Sequence, residues 1–115
     1  MKPPSSKDKR LKNGEIQFLL KKPEKIVGPN LIVYARENRL SFCRSAVSIS
    51  RKTIRHSSDR NLFRRRIKAS LAQAQKEGVG SGGYDRLIVV KTKEIPSYEE
   101  TKKELFCLLK KLKVR

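Results

Sequence analysis

Arg60, Asn61, Arg64, Arg65 and Lys68 fall together on a helical wheel, while Phe63, Ile67 and Leu71 recur at i, i+4 and i+8 on a different face. Such a segment buries one narrow edge and holds guanidinium groups at fixed spacing on another. The chemistry this suits is recognition of a polyphosphate backbone, because an arginine fork matches phosphate oxygens in bidentate geometry. A second constellation lies just upstream. Along Phe42 to Ser50 the residues alternate. Cys43, Val47 and Ile49 point toward a core, and Phe42, Arg44, Ala46, Ser48 and Ser50 point away. Small residues on that outer face let a nucleic-acid backbone approach, Arg44 offers charge and Phe42 offers stacking. An ordinary solvated sheet face carries the same pattern.

Catalytic constellations are missing. His56 is the only histidine and sits beside Ser57 and Ser58, but adjacency in sequence supplies neither a positioned nucleophile nor an orienting acid. Ser57, Ser58 and Asp59 are instead candidates for the N-cap of the basic helix. The run Gly78-Val79-Gly80-Ser81-Gly82-Gly83 formally matches G-x-G-x-x-G. The dinucleotide fingerprint needs a strand before it and a helix after it, and here the order is reversed. It reads as a helix-to-strand connector. Cys43 and Cys107 fit no metal-ligand spacing and are expected to be reduced, partly buried thiols.

The elements that must position these residues follow from composition and periodicity. The chain has 115 residues, 37% hydrophobic, with a formal net charge of +18 and a pI of about 10.4. That length gives one domain with one modest core. A charge so large repels itself in the compact state and implies a polyanionic partner. No stretch is long enough to cross a membrane, and the N-terminus lacks the apolar core of a signal peptide. A cytoplasmic protein is expected. Residues 1–9 are polar, basic and proline-containing and are expected to be disordered. Residues 10–115 form the single folded domain. Leu11 to Lys22 predicts a short helix weakened by Gly14, and Pro23, Gly28 and Pro29 punctuate a loop. Leu31 to Arg36 predicts a strand, Glu37 to Arg39 a turn, and Phe42 to Ser50 a second strand, whole or broken in two. The basic helix follows and fades by Glu77. Tyr84 to Lys91 predicts another strand. Residues 97–113 give the clearest helix. Ser97 and Glu100 form a capping box there, and Tyr98, Leu105, Leu108, Leu109 and Leu112 share one face. The order αββ(β)αβα makes an α/β (α+β) two-layer sandwich.

Ser48-x-Ser50-Arg51-Lys52, then Arg60-Asn61 and Arg64-Arg65, resembles the signature of the bacterial ribonuclease P protein subunit. The likeness runs along most of the chain. It takes in Arg10-Leu11-Lys12-Asn13, Phe42-x-Arg44-x-Ala46, Tyr84-Asp85 leading into Val89-Val90, and Ser97 to Leu112. Leu62 departs from the family's Arg-Asn-Arg triplet, Lys68 stands where arginine is common, and Ile16 and Leu20 replace frequent phenylalanines. The resemblance implies a left-handed βαβ crossover, against the usual hand. It implies binding to the catalytic RNA of ribonuclease P through Arg44, Ser48, Ser50, Arg51, Lys52, Arg55, Arg60, Asn61, Arg64, Arg65 and Lys68. It also implies a cleft for the 5′ leader of precursor tRNA, with Ile16, Leu20, Tyr34 and Phe42 as candidates. The Mg²⁺-dependent hydrolysis would be carried out by the RNA, which would hold most of the metal. This chain would be an accessory subunit of an endoribonuclease, with no DNA or membrane partner. The competing reading is a non-catalytic RNA-binding protein such as a small ribosomal protein. A sequence-specific DNA reader ranks last, because the basic helix is nearly all phosphate-type residues.

Overall fold

Leu31, Val33 and Ala35 alternate with Ile32, Tyr34 and Arg36, and that alternation builds the central strand of the sheet. The structure is a computed structural model describing residues 10–40, 42–79 and 82–112. Residues 1–9, with their expected disorder, lie outside the described residues, as do Gly80 and Ser81 of the connector and Lys113 at the end of the last predicted helix. The elements are α1 (Asn13–Leu19), β1 (Glu24–Val27), β2 (Leu31–Glu37), β3 (Arg44–Ser48), α2 (Ser57–Lys76), β4 (Tyr84–Val90) and α3 (Tyr98–Lys110). The four strands lie in the order β1-β2-β4-β3. β2 pairs antiparallel with β1 and β4, and β3 pairs parallel with β4 through the α2 crossover.

The pleat sorts the two faces of this sheet. Leu31, Val33, Ala35, Tyr84, Ile88 and Val90 are buried together with Phe63, Ile67, Leu71 and Ala74 of α2 and Leu105, Leu108, Leu109 and Leu112 of the α3 segment. Burial of this apolar surface is the main stabilising term. Tyr34, Ala46, Leu87 and Val89 point to the other face, where Leu11, Ile16 and Leu19 pack on them. Two long helices therefore cover one face, and the short α1 covers part of the other.

Several elements differ from the sequence expectation. The predicted loop at 23–30 contains strand β1. Its signal is weak because only Ile26 of its four residues is buried and Pro23, Gly28 and Pro29 flank it. This strand, and not a break in Phe42–Ser50, supplies the third strand ahead of α2. Its hairpin to β2 is held from above by α3. Glu104 accepts hydrogen bonds from the Asn30 N–H (2.9 Å), the Leu31 N–H (2.8 Å) and Asn30 Nδ2 (2.9 Å). The approach is so close that a Cβ on Gly28 would stand 2.7 Å from Glu104 Oε2. The first helix is shorter than Leu11–Lys22. Its entry is set by Glu15, which accepts the Lys12 N–H at 2.9 Å.

α2 begins earlier than a serine or aspartate cap would place it. Its N-cap is His56, in extended conformation with no side-chain cap bond, so Ser57, Ser58 and Asp59 occupy the first turn. Ser97 does cap α3, accepting from the Glu100 N–H at 3.2 Å. Neither cysteine forms a disulfide: Cys43 is half-buried and donates to the Gly82 carbonyl at 2.8 Å, whereas Cys107 is exposed because it falls beside the 105–108–109 stripe and not on it.

Candidate nucleic-acid interface

The turn after β3 presents the first cations. Ser50 organises it. Its carbonyl accepts the N–H groups of Thr53 (3.1 Å) and Ile54 (3.0 Å), and its Oγ lies 2.8 Å from Thr53 Oγ1 and accepts the Thr53 N–H at 3.1 Å. Ile54 is buried and anchors the segment in the core. Arg51, Lys52 and Arg55 therefore stand exposed on a fixed backbone, and Ser48 is exposed at the end of β3. Ser50 is also exposed, but its hydroxyl is engaged in the turn.

α2 continues the cationic surface. Phe63 and Ile67 are fully buried and fix the rotation of the helix. Asn61, Arg65 and Lys68 are then exposed and Arg64 half-buried. Arg64 Nη1 donates to Asn61 Oδ1 at 3.3 Å, which orders the two side chains relative to each other. Leu62 lies off the Phe63–Ile67–Leu71 stripe and is nonetheless half-buried. Arg66 turns the other way, donating to the Pro96 carbonyl and tying α2 to the lead-in of α3.

Two arginines of the predicted set have other engagements. Arg60 Nη1 donates to the carbonyls of Ile54 (3.0 Å) and Arg55 (2.9 Å), so it braces the turn that carries Arg51 and Lys52. Arg60→Ala is therefore expected to lower the thermal midpoint, by about 1–3 kcal/mol of stability for the lost charged hydrogen bonds, as well as RNA affinity. Arg65→Ala, at an exposed position, is expected to leave the midpoint within about 0.5 kcal/mol. Thermal denaturation of the two variants side by side checks this.

Arg44 does not offer a free charge. Its Nε and Nη2 form a bidentate pair with Asp85 (both 2.8 Å), and Nη1 donates to Glu15. The hydrogen bond to Asp85 is the largest influence on it and holds the guanidinium protonated even more firmly than usual. Asn38 Nδ2 adds a third donor to Asp85 at 2.9 Å. Through this network α1, β3 and β4 are locked together. Arg44 is thus a positioning residue for α1. The sequence contains both carboxylates, but neither is near Arg44 along the chain, so no local pattern signals the network.

The four leader-cleft candidates do not share one environment. Ile16 and Tyr34 are half-buried and pack against the Leu11–Leu19–Leu87 cluster. The Lys25 ammonium lies 5.8 Å from the Tyr34 ring centroid. Leu20 is exposed, beyond the last residue of α1. Phe42 precedes β3 in the 38–43 connection, and its carbonyl accepts from Asn38 Nδ2 at 3.1 Å. Phe42 is therefore not in the sheet, because the strand starts two residues later than the alternation predicts.

Among the described residues the acidic groups do not assemble a divalent-metal site. Asp85 and Glu15 are taken up by Arg44, and Glu104 by the β1–β2 hairpin. Among the described residues no three His, Cys, Asp or Glu side chains converge.

Comparisons with known proteins agree with this architecture. The ribonuclease P family profile matches residues 6–113. The chain is 32% identical over 108 residues to the ribonuclease P protein component of Blochmanniella floridana, covering 94% of this chain and 86% of that protein. It is 36% identical over 80 residues to the ribonuclease P protein component of Ureaplasma parvum serovar 3, covering 70% of this chain and 68% of that protein. In three dimensions it is similar to the RNase P protein from Thermotoga maritima, with a TM-score of 0.80, 20% identity, and 91% and 98% of the two chains covered. It is also similar to the Staphylococcus aureus RNase P protein, with a TM-score of 0.75, 21% identity, and 89% and 93% covered. With sequence and fold in agreement over nearly its whole length, the chain belongs to the ribonuclease P protein family.

Proposed function

We propose that this chain is the protein subunit of ribonuclease P and binds the catalytic RNA of that enzyme. On this reading it assists removal of the 5′ leader from precursor tRNA, as an accessory subunit of an endoribonuclease in the cytoplasm. The observation that carries the reading is the set of cations Arg51, Lys52, Arg55, Arg64, Arg65 and Lys68, exposed or half-buried and carried on one hydrogen-bonded turn and the helix that follows it. Ordered cations lose less freedom on meeting phosphates than cations on a mobile tail. They also screen the repulsion between two polyanions, the catalytic RNA and its substrate.

The chemistry is assigned to the RNA. Among the described residues His56 is exposed, and Glu15, Asp85 and Glu104 are engaged with Arg44 and the hairpin, which leaves them poorly suited to acid–base work. Magnesium is assigned to the RNA as well, since hard cations need grouped oxygen donors and the described residues gather no such cluster. The Ile16, Leu20, Tyr34 and Phe42 surfaces remain the candidates for contact with the leader, along with the small, polar end of β3. Among the described residues no helix is long and apolar enough to cross a membrane.

The test mixes the purified protein with a bacterial ribonuclease P RNA and a precursor tRNA at a magnesium concentration where the RNA alone is slow. The expected result is a matured 5′ end with protein and RNA together, none with protein alone, and undiminished turnover for His56→Ala. Cleavage by the protein alone, or no enhancement of the RNA, would overturn the assignment. Copurification with ribosomal subunits instead of one structured RNA would favour the small ribosomal protein reading.

A further inference from the structure

Tyr84, Arg86 and Ile88 alternate onto one face of β4, the face that packs on α2 and α3. Arg86 thus carries a guanidinium to the core side of the sheet, where it is only 6% exposed. Burial pushes its pKa below the ordinary value. A charge in such a place is normally offset by a carboxylate. The ion pairs among the described residues belong to Arg44 and Lys102, and none reaches Arg86. Its side-chain hydrogen bond runs from Nε to Ser45 Oγ at 3.2 Å. No fully enclosed side-chain nitrogen among the described residues lacks a partner. The two terminal nitrogens of Arg86 therefore reach solvent, and they form the fork with which arginine grips an oxyanion.

Two more donors stand beside that fork. Ser45 lies opposite Arg86 in the parallel β3–β4 pair. On the outer side of β3, Arg10 forms a parallel bridge to Ser45, and the Leu11 N–H donates to the Ser45 carbonyl at 3.3 Å. Leu11 packs with Leu87 on the α1 face, so the alternation turns Arg10 to the side of Ser45 and Arg86. Arg10, Ser45 and Arg86 follow one another across the sheet as exposed, half-buried and buried. The Ser45 oxygen accepts from Arg86 Nε, which leaves its own proton to donate. A donor hydroxyl between two guanidiniums matches a tetrahedral oxyanion, which has several acceptor oxygens. None of the three residues lines the cleft of about 830 Å³ that Phe18 and Arg44 border, and none belongs to the cationic set of the turn and α2.

We propose that Arg86, Ser45 and Arg10 form a binding site for one phosphate group at the outer edge of β3, where the phosphate offsets the buried guanidinium. The site goes beyond the RNA-binding reading and does not depend on it. A free phosphate ion or a phosphate of an RNA can supply the same chemistry.

The thermal midpoint of the full-length protein is followed across a series of inorganic phosphate, with chloride at equal ionic strength as the reference. Phosphate should raise the midpoint above its value in chloride, by about 5–7 °C at roughly ten times the half-saturating concentration. Arg86→Met should abolish that excess and should hold or raise the midpoint in chloride, because it removes a buried charge that no carboxylate offsets. Ser45→Ala should weaken the phosphate response about tenfold. Replacing Arg64, Arg65 and Lys68 together by alanine should leave the response unchanged. An excess that survives Arg86→Met or disappears in the triple variant puts the anion elsewhere and overturns the proposal. A midpoint that follows ionic strength alone overturns it too. Should Arg86→Met fail to fold, the nuclear magnetic resonance signal of Arg86 Nε–H decides: a saturable shift with phosphate supports the site, and no shift refutes it. The source of the phosphate is read with ribonuclease P RNA. An RNA affinity lowered by Arg86→Met assigns it to the RNA, and an unchanged affinity assigns it to the free ion.

Discussion

Phe63→Ala is expected to destabilise the domain by about 3–5 kcal/mol. The Phe63 side chain is fully buried, and it is the largest such side chain among the described residues. It sits in the first half of α2, one turn before Ile67, where the helix meets the sheet and α3 in one cluster. Truncation removes the transfer energy of the ring and leaves a cavity that rigid neighbours fill only in part. A domain of this size is stable by about 5–15 kcal/mol in all, so the loss is a large fraction of the total. The thermal midpoint should fall by about 10–20 °C. Calorimetry or circular dichroism reads this directly. A midpoint within a degree or two of wild type would mean that α2 is rotated relative to the sheet. The cationic face would then be misplaced as well, so this stability measurement also tests the functional surface.

The RNA affinity should fall with salt along a log–log slope of about −4 to −5. The number comes from six cations of the turn after β3 and of α2: Arg51, Lys52, Arg55, Arg64, Arg65 and Lys68. Each phosphate neutralised releases counterions and contributes about 0.7 to 0.9 to the slope. Arg44 and Arg60 are omitted because carboxylates and backbone carbonyls already hold them. Replacing Arg64, Arg65 and Lys68 together by alanine should reduce the slope to about −2 to −3, with an affinity loss on the order of a hundredfold or more near 0.1 M salt. Filter binding or fluorescence anisotropy across a salt series checks both values. A wild-type slope shallower than about −2 would be incompatible with a polyphosphate partner for this surface. A slope unchanged by the triple substitution would move the interface off α2.

The basic helix was readable because its information is local. Phe63, Ile67 and Leu71 at helical spacing determine which side is buried, and the cations on the other positions are then presented by default. The Ser97 cap and the leucine stripe of α3 were readable for the same reason. The alternation of Cys43, Val47 and Ile49 correctly sorted the two faces of β3. Strand β1 was not readable. A four-residue edge strand with one buried side chain carries almost no periodic signal, and its existence depends on pairing with β2 and on Glu104, 74 residues from the hairpin it holds.

The same division separates the roles of the arginines. Residue type and spacing determined that this chain carries a cationic surface suited to a polyphosphate, and the family motif is written in contiguous residues. Which arginines are available to a ligand was decided only by tertiary structure. Arg44 is paired because β4 brings Asp85 beside it and α1 brings Glu15. Arg60 is engaged because the turn before α2 folds back onto it, and Arg36 stacks on Phe18 because β2 passes under the end of α1. A guanidinium finds its partner by distance in space, and separations of 41 and 29 residues leave no trace in any local pattern.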